Sequence, residues 1–229
     1  IGLREVDVFK ACNATFKQGG KFVNWTHGNN DFYYHPFTVP LGYGRIDLAP
    51  YLDNVVDYAQ QTNFQHDICE ASLAPRGIAQ GEYQGNCNYA YHLDAGAFAE
   101  MLKQHSKSKL GVEHVIGTVD EVKLDNDGAI DTLTLKDQTR TINADLYVDC
   151  TGFSSLLLGQ ALNIPFKKMD HVLFNDSALA MQVPYAEGDE SLASHTIATA
   201  QNAGWIWDIG LTHRRGVGHV YSSKFLSVK

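Results

Sequence analysis

Basic residues are scarce: 18 lysines and arginines stand against 26 aspartates and glutamates, for a formal charge of -8. That deficit argues against nucleic acid or an anionic membrane surface as a partner. No apolar run is long enough to span a bilayer and no signal-peptide pattern is visible, so a soluble cytoplasmic protein is the expectation. Cysteine is sparse and scattered. Cys12, Cys69, Cys87 and Cys150 form no C-x-x-C, and free thiols are expected in preference to disulfides. The 10 histidines are dispersed, with no H-x-x-x-H or H-E-x-x-H, so no metal site is expected. Internal repeats, low-complexity tracts and long linkers are lacking too.

What is present is enough apolar material for a core: 229 residues, 44% hydrophobic and 19% charged. The most telling stretch is Gly204-Trp205-Ile206-Trp207-Asp208-Ile209-Gly210. Alternation in a strand puts Trp205, Trp207 and Ile209 on one face, so two of the 3 tryptophans stand side by side. They could be core residues of a sheet, or a rigid wall beside a cofactor or an aromatic substrate.

Earlier in the chain, Phe16, Phe22 and Trp25 with Gly19-Gly20 suggest two short strands or one bent strand. Lys17 lies between Phe16 and the glycines, where a lysine taken alone reads as a solvated edge charge. Phe32-Tyr33-Tyr34-His35-Pro36-Phe37 is an aromatic cluster kept extended by proline, with His35 and Phe37 on one face. Such rings either close over a flat molecule or pack into the core. Asp47 to Gln61 reads as a helix and Ile78 to Tyr91 as extended. Asp94 should cap a second helix, running to about His105, with Phe98, Met101 and Leu102 inward.

From Val112 the chain reads as a β meander. Strands are expected at Val112–Ile116, Val119–Leu124, Ile130–Leu135 and Thr141–Cys150, with turns at Asp125–Gly128 and Lys136–Gln138. The last strand ends in Asp149-Cys150-Thr151-Gly152-Phe153, before an expected helix at Ser154–Leu162. A glycine turn there would offer backbone N–H groups to an anion. After Pro165 four strands follow, at Val172–Pro184, Ser194–Ala200, Trp205–Leu211 and Gly216–Ser222.

Taken together, these residues resemble the flavin-dependent halogenases of the tryptophan-halogenase family. Trp205-Ile206-Trp207-Asp208-Ile209 matches W-x-W-x-I-P, with Gly210 in the proline place. Cys12 to Lys17 matches C-N-x-x-[YF]-K, and His35-Pro36-Phe37 is similar to the substrate-stacking H-x-F. Asp149 to Phe153 is similar to a flavin contact of that family. The resemblance implies an α/β, flavin-monooxygenase-like FAD-binding fold. This chain would be its central portion, α+β in itself, with a β-rich substrate region. Three segments are expected: 1–111 with the lysine stretch, 112–165 with the flavin-contacting turn, and 166–229 with the tryptophans.

The resemblance further implies roles. Lys17 would be catalytic, His35 and Phe37 would bind substrate, and Trp205 and Trp207 would separate flavin from substrate. Val119, Asp149, Gly152 and Phe153 would contact FAD. Reduced FAD, supplied by a separate flavin reductase, would serve with chloride or bromide to give hypohalous acid for halogenating an electron-rich indole or phenol. That ring would be free or carried on a larger molecule. Gly210 in place of proline favours such rings over free tryptophan, since it changes both flexibility and hydrogen bonding at the strand end. The G-x-G-x-x-G fingerprint is lacking, as are the family's glutamate and halide turn. By itself the chain is therefore expected to bind FAD weakly or not at all and to be inactive. Two rival readings stay open: an aromatic monooxygenase, which Lys17 and the paired tryptophans oppose, and a non-catalytic flavin-fold domain.

Overall fold

The structure is a computed structural model in which residues 1–52, 58–136, 140–188 and 192–227 are described. It divides into two compact units, Ile1–Ser106 with Asp170–Lys229, and Lys107–Met169.

The first unit is built on a six-stranded sheet. Its strands are β2 (Gly19–Val23), β3 (Phe32–Pro36), β8 (Ser177–Val183), β9 (Thr196–Gln201), β10 (Gly204–Gly210) and β11 (Arg215–Tyr221), in the order β3-β2-β9-β10-β11-β8. Every neighbour is antiparallel except β2 and β9, which run parallel and place segments distant in sequence side by side. Of the strands expected from alternation after Pro165, β9, β10 and β11 form within two residues of the expected limits, whereas β8 begins only at Ser177 in place of Val172; Asn202–Ala203 makes the tight turn between β9 and β10.

A short pair, β1 (Thr15–Lys17) with β4 (Ala90–His92), lies beside this sheet. Helix α1 (Glu5–Ala11) precedes β1 and was not expected; it is one short run whose buried residues are Glu5 and Val8. Helices α2 (Tyr58–Thr62) and α3 (Gln65–Glu70) follow β3. Helix α4 (Ala95–Lys109) is capped as expected, with Asp94 Oδ1 accepting from the N–H groups of Gly96 and Ala97 at 3.0 and 3.1 Å. Phe98 and Met101 pack onto Val8, Cys12 and Ala14.

Several expectations are corrected. Of the helix expected over Asp47–Gln61, the described residues show a 3-10 turn at Ala49–Tyr51, an extended Leu52 and then α2, and residues 53–57 lie outside the described residues. Ile78–Tyr91 is mostly turn: the Pro75 carbonyl accepts from Asn86 and Cys87, folding the chain back, and only β4 is extended.

In the second unit β5 (Val119–Leu124), β6 (Ile130–Leu135) and β7 (Thr141–Asn143) form the meander. No strand forms at Val112–Ile116, where both end residues are exposed. The last strand stops at Asn143 because the Tyr147 hydroxyl takes over the polar partners, donating to Asp131 O and accepting from Ala144 N–H. The helix expected after it is a 3-10 turn, Gly152–Ser154, then a π-helical turn, Leu156–Ala161. Ser155 between them is left-handed at φ 42°.

Candidate active site

Strand register explains how one face of the large sheet becomes a site. Gly20 stands opposite both His35 and Thr196, and Phe22 opposite both Tyr33 and Ala198. Trp207 stands opposite both Ala198 and Gly218, and Trp205 opposite Ala200. Paired residues share a face, and so do residues two apart, so small and large side chains alternate across one surface. Where the small ones fall, the rings have room. A Cβ at Gly218 would overlap the Trp207 indole, and one at Gly19 would run into the His35 carbonyl.

On that face opens a cleft of about 470 Å³, lined by Lys17, Phe22, Trp25, His35, Phe37 and Trp205 with Gly19, Gly20, Thr196 and Ala198 between them. Four residues singled out in the sequence, Lys17, His35, Phe37 and Trp205, therefore meet here. Trp207 stands just behind, its ring 6.2 Å from that of Trp205. Sequence reasoning missed Trp25 as a wall residue. Its indole N–H donates to Ala198 O at 2.9 Å, and its ring lies 6.4 Å from Trp205. Phe22 stacks on Tyr33 at 5.2 Å and tilts against His35 at 4.6 Å.

The Lys17 ammonium has no ion pair or hydrogen bond among the described residues; it stands over the Phe37 ring, 5.9 Å from the centroid. A cation–π contact at that range is worth at most about 0.5–1 kcal/mol. Burial dominates instead and pushes the lysine pKa down. The backbone beneath it is held firmly. Gln18 is 0% exposed, its N–H donates to Ser194 O at 2.7 Å, and its carbonyl accepts from Phe37 at 3.1 Å. Its side chain donates to Leu73 O and Ser194 Oγ and accepts from Gln65.

Lys21, four residues on, is on the opposite face and behaves differently. It pairs with Glu70 at 2.6 Å and lies 3.9 Å from the Phe32 ring centroid. Tyr34 donates to the same carboxylate and approaches His195 Nε2 at 3.3 Å. Burial, then Lys21, pushes His195 down to about 4.

The residues expected to contact a cofactor lie in the unit Lys107–Met169. Val119 opens β5, on which the π-helical turn Leu156–Ala161 packs. Asp149 accepts from the Thr151 hydroxyl at 2.6 Å and from the N–H groups of Leu157 and Leu158 at 2.9 and 3.0 Å. These bonds, the Thr151 hydroxyl first, hold its pKa down at about 2. The backbone donors at the start of the π-helical turn are thus taken by the chain's own carboxylate. Gly152, at φ +64°, has open space where a side chain would be, and Phe153 is fully exposed.

The tryptophan halogenase family model matches residues 1–229. The chain belongs to the tryptophan halogenase family. Tryptophan 6-halogenase SttH of Streptomyces toxytricini is 37% identical over 99% of this chain and 47% of its own length. The solved tryptophan halogenase of Shewanella frigidimarina NCIMB 400 is 41% identical, with a TM-score of 0.90 over 97% of this chain and 44% of that one. Tar14, a tryptophan C-6 flavin-dependent halogenase (chlorinase) from taromycin biosynthesis, is 34% identical with a TM-score of 0.89, over 98% and 46%. The chain spans about half the length of these halogenases. Its α/β fold is that of the corresponding part of a flavin-dependent halogenase.

The turn at Asp149–Phe153 limits how a flavin could be held. An anion cradle does not fit there, because Asp149 occupies the N–H groups that would form it. Gly152 is unobstructed and Phe153 is uncovered, so the turn leaves its backbone and one aromatic ring open to contact. Among the described residues no helix is long and apolar enough to cross a membrane.

Proposed function

We propose that this chain carries the substrate side of a cytoplasmic halogenase that chlorinates or brominates an electron-rich indole or phenol, free or carried on a larger molecule. The observation that carries the reading is the cleft that gathers one unpaired, partly buried lysine with His35, Phe37 and Trp205. Relatives described as tryptophan halogenases support an indole as the ring.

Val119, Asp149, Gly152 and Phe153 would contact FAD. Reduced FAD, delivered by a separate reductase, would supply with oxygen the two-electron oxidation that turns halide into hypohalous acid. The chain's residues do the rest. His35 and Phe37 hold the ring close to Lys17, which replaces a bimolecular encounter by an oriented one. Trp205 and Trp207 keep the ring apart from the oxidising centre. As the ring's π electrons form the carbon–halogen bond and the halogen–oxygen bond breaks, the Lys17 ammonium donates a proton to the leaving oxygen, which departs as water. The proton released from the ring carbon restores the balance, so hypohalous acid and arene give haloarene and water. Lowering the lysine pKa makes that proton easier to give.

The test is Lys17→Ala in the whole enzyme with a flavin reductase, either halide and a panel of indoles, phenols and tryptophan. Halogenated product should vanish while flavin oxidation continues and a trapping reagent captures hypohalous acid. Loss of the trapped acid as well would assign Lys17 to the oxidative step. Hydroxylated products without halogen from the unsubstituted enzyme would overturn the reading.

A further inference from the structure

Behind Lys17 runs a chain of hydrogen bonds. His92, the last residue of β4, is 4% exposed, and both ring nitrogens face threonine hydroxyls: Nδ1 is 3.5 Å from Thr15 Oγ1 and Nε2 is 2.9 Å from Thr196 Oγ1. Thr15 has a single hydroxyl proton, and it goes to Gly210 O at 2.6 Å. Toward His92, Thr15 is therefore an acceptor. Both ring nitrogens are satisfied together only in the Nδ1–H tautomer, with Nδ1 donating toward Thr15 and the bare Nε2 accepting from Thr196.

This order joins four strands. Thr15 is two residues before Lys17 on β1, Thr196 lines the lysine cleft from β9, and Gly210 ends the strand that carries both tryptophans. We propose that His92, held as the Nδ1–H tautomer between Thr15 and Thr196, is a positioning residue that fixes Lys17 relative to the Trp205 wall.

Lys17 and His195 are the cationic or titratable groups that act on His92, and both oppose its protonation. Burial does so more strongly, and together they push its pKa down to about 4. Held neutral, His92 adds no second positive charge beside the lysine. A charged imidazole would lose its bare nitrogen and with it the donation from Thr196.

The inference deepens the halogenase reading and rests on it for its kinetic half only. The first measurement is imidazole nitrogen NMR on the whole enzyme labelled with 15N-histidine, His92 being assigned from the signal missing in His92→Gln. A protonated Nδ1 with a bare Nε2 at pH 7 is expected; the opposite tautomer, or an imidazolium, overturns the proposal. The second compares His92→Phe, His92→Gln and Thr196→Val for product, trapped hypohalous acid and flavin oxidation.

Misplacing a reacting group by an ångström costs up to about a hundredfold, so His92→Phe should lower product about tenfold or more with the arene KM nearly unchanged. Trapped acid should rise correspondingly, and His92→Gln, which still accepts from Thr196, should recover part of the product. If product, trapped acid and flavin oxidation fall together, His92 is merely structural and the proposal fails. If the unsubstituted enzyme halogenates nothing, the halogenase reading fails and the tautomer decides the role of His92 alone.

Discussion

The indole of Trp207 occupies the space that a side chain at Gly218 would need. The two residues stand opposite each other on β10 and β11, and a Cβ at Gly218 would overlap three atoms of the ring. The ring is also 6.2 Å from Trp205, so displacing it disturbs the back of the cleft.

Gly218→Ala should therefore destabilise the protein by about 1–3 kcal/mol, the usual cost of forcing extra volume into a packed region. Trp207→Phe in the same chain should relieve much of that loss, because the smaller ring need not cover Gly218. A double-mutant cycle from denaturant midpoints reads the coupling directly. Additive losses would mean that the two positions do not constrain each other.

Acid sensitivity should begin with histidine. Unfolded histidines titrate near pH 6.5, whereas burial holds His92 and His195 at about 4 in the folded chain. Between those values the unfolded state binds more protons, so stability falls as pH drops from about 6.5 toward 4. Each group contributes up to about 1.4 kcal/mol per pH unit in that window. Urea midpoints measured from pH 7.5 to 5 should decline, and His195→Phe should reduce the slope. A flat profile above pH 5 would contradict the burial of both rings.

Glu5 should act in a lower window. It is 1% exposed, pairs with Arg76 at 2.7 Å, and accepts from the hydroxyls of Tyr89 and Tyr91 and from Tyr83 N–H. Burial pushes its pKa up, but these bonds and the Arg76 charge outweigh it and leave the pKa lowered. A depressed carboxyl contributes stability that is present above its unfolded pKa and lost as pH falls through the folded one. Glu5→Gln should cost about 1.5–3 kcal/mol at pH 7, as expected for hydrogen bonds to a charged group. The gap to the unsubstituted protein should narrow as pH falls below about 4.3. A gap independent of pH would show that the amide satisfies the same partners.

Part of this architecture was legible in the residues. Alternation and turn chemistry located β5, β6 and β8 to β11, and Asp94 announced α4. Alternation also put Trp205 with Trp207, and His35 with Phe37, on common faces. It failed where side chains replaced the regular ladder. Tyr147 ends the meander early, Ser155 breaks the expected helix, and the Pro75 carbonyl folds the chain over what looked extended. The hydrogen bonding of the Asp149 turn was not legible for a related reason: nothing local says that Asp149 will turn its carboxylate onto the N–H groups of Leu157 and Leu158.

The sequence by itself thus determined which side chains share a face of one strand, because the backbone repeat is local and needs no partner. Tertiary structure alone decided which faces meet. The parallel pairing of β2 with β9 set Gly20 against Thr196, and β1 against β4 set Thr15 against His92. Those registers depend on hydrogen bonds between segments far apart in the chain, and no spacing along the chain encodes them. From them come the cleft around Lys17, the depressed pKa of its ammonium, and the buried histidine behind it.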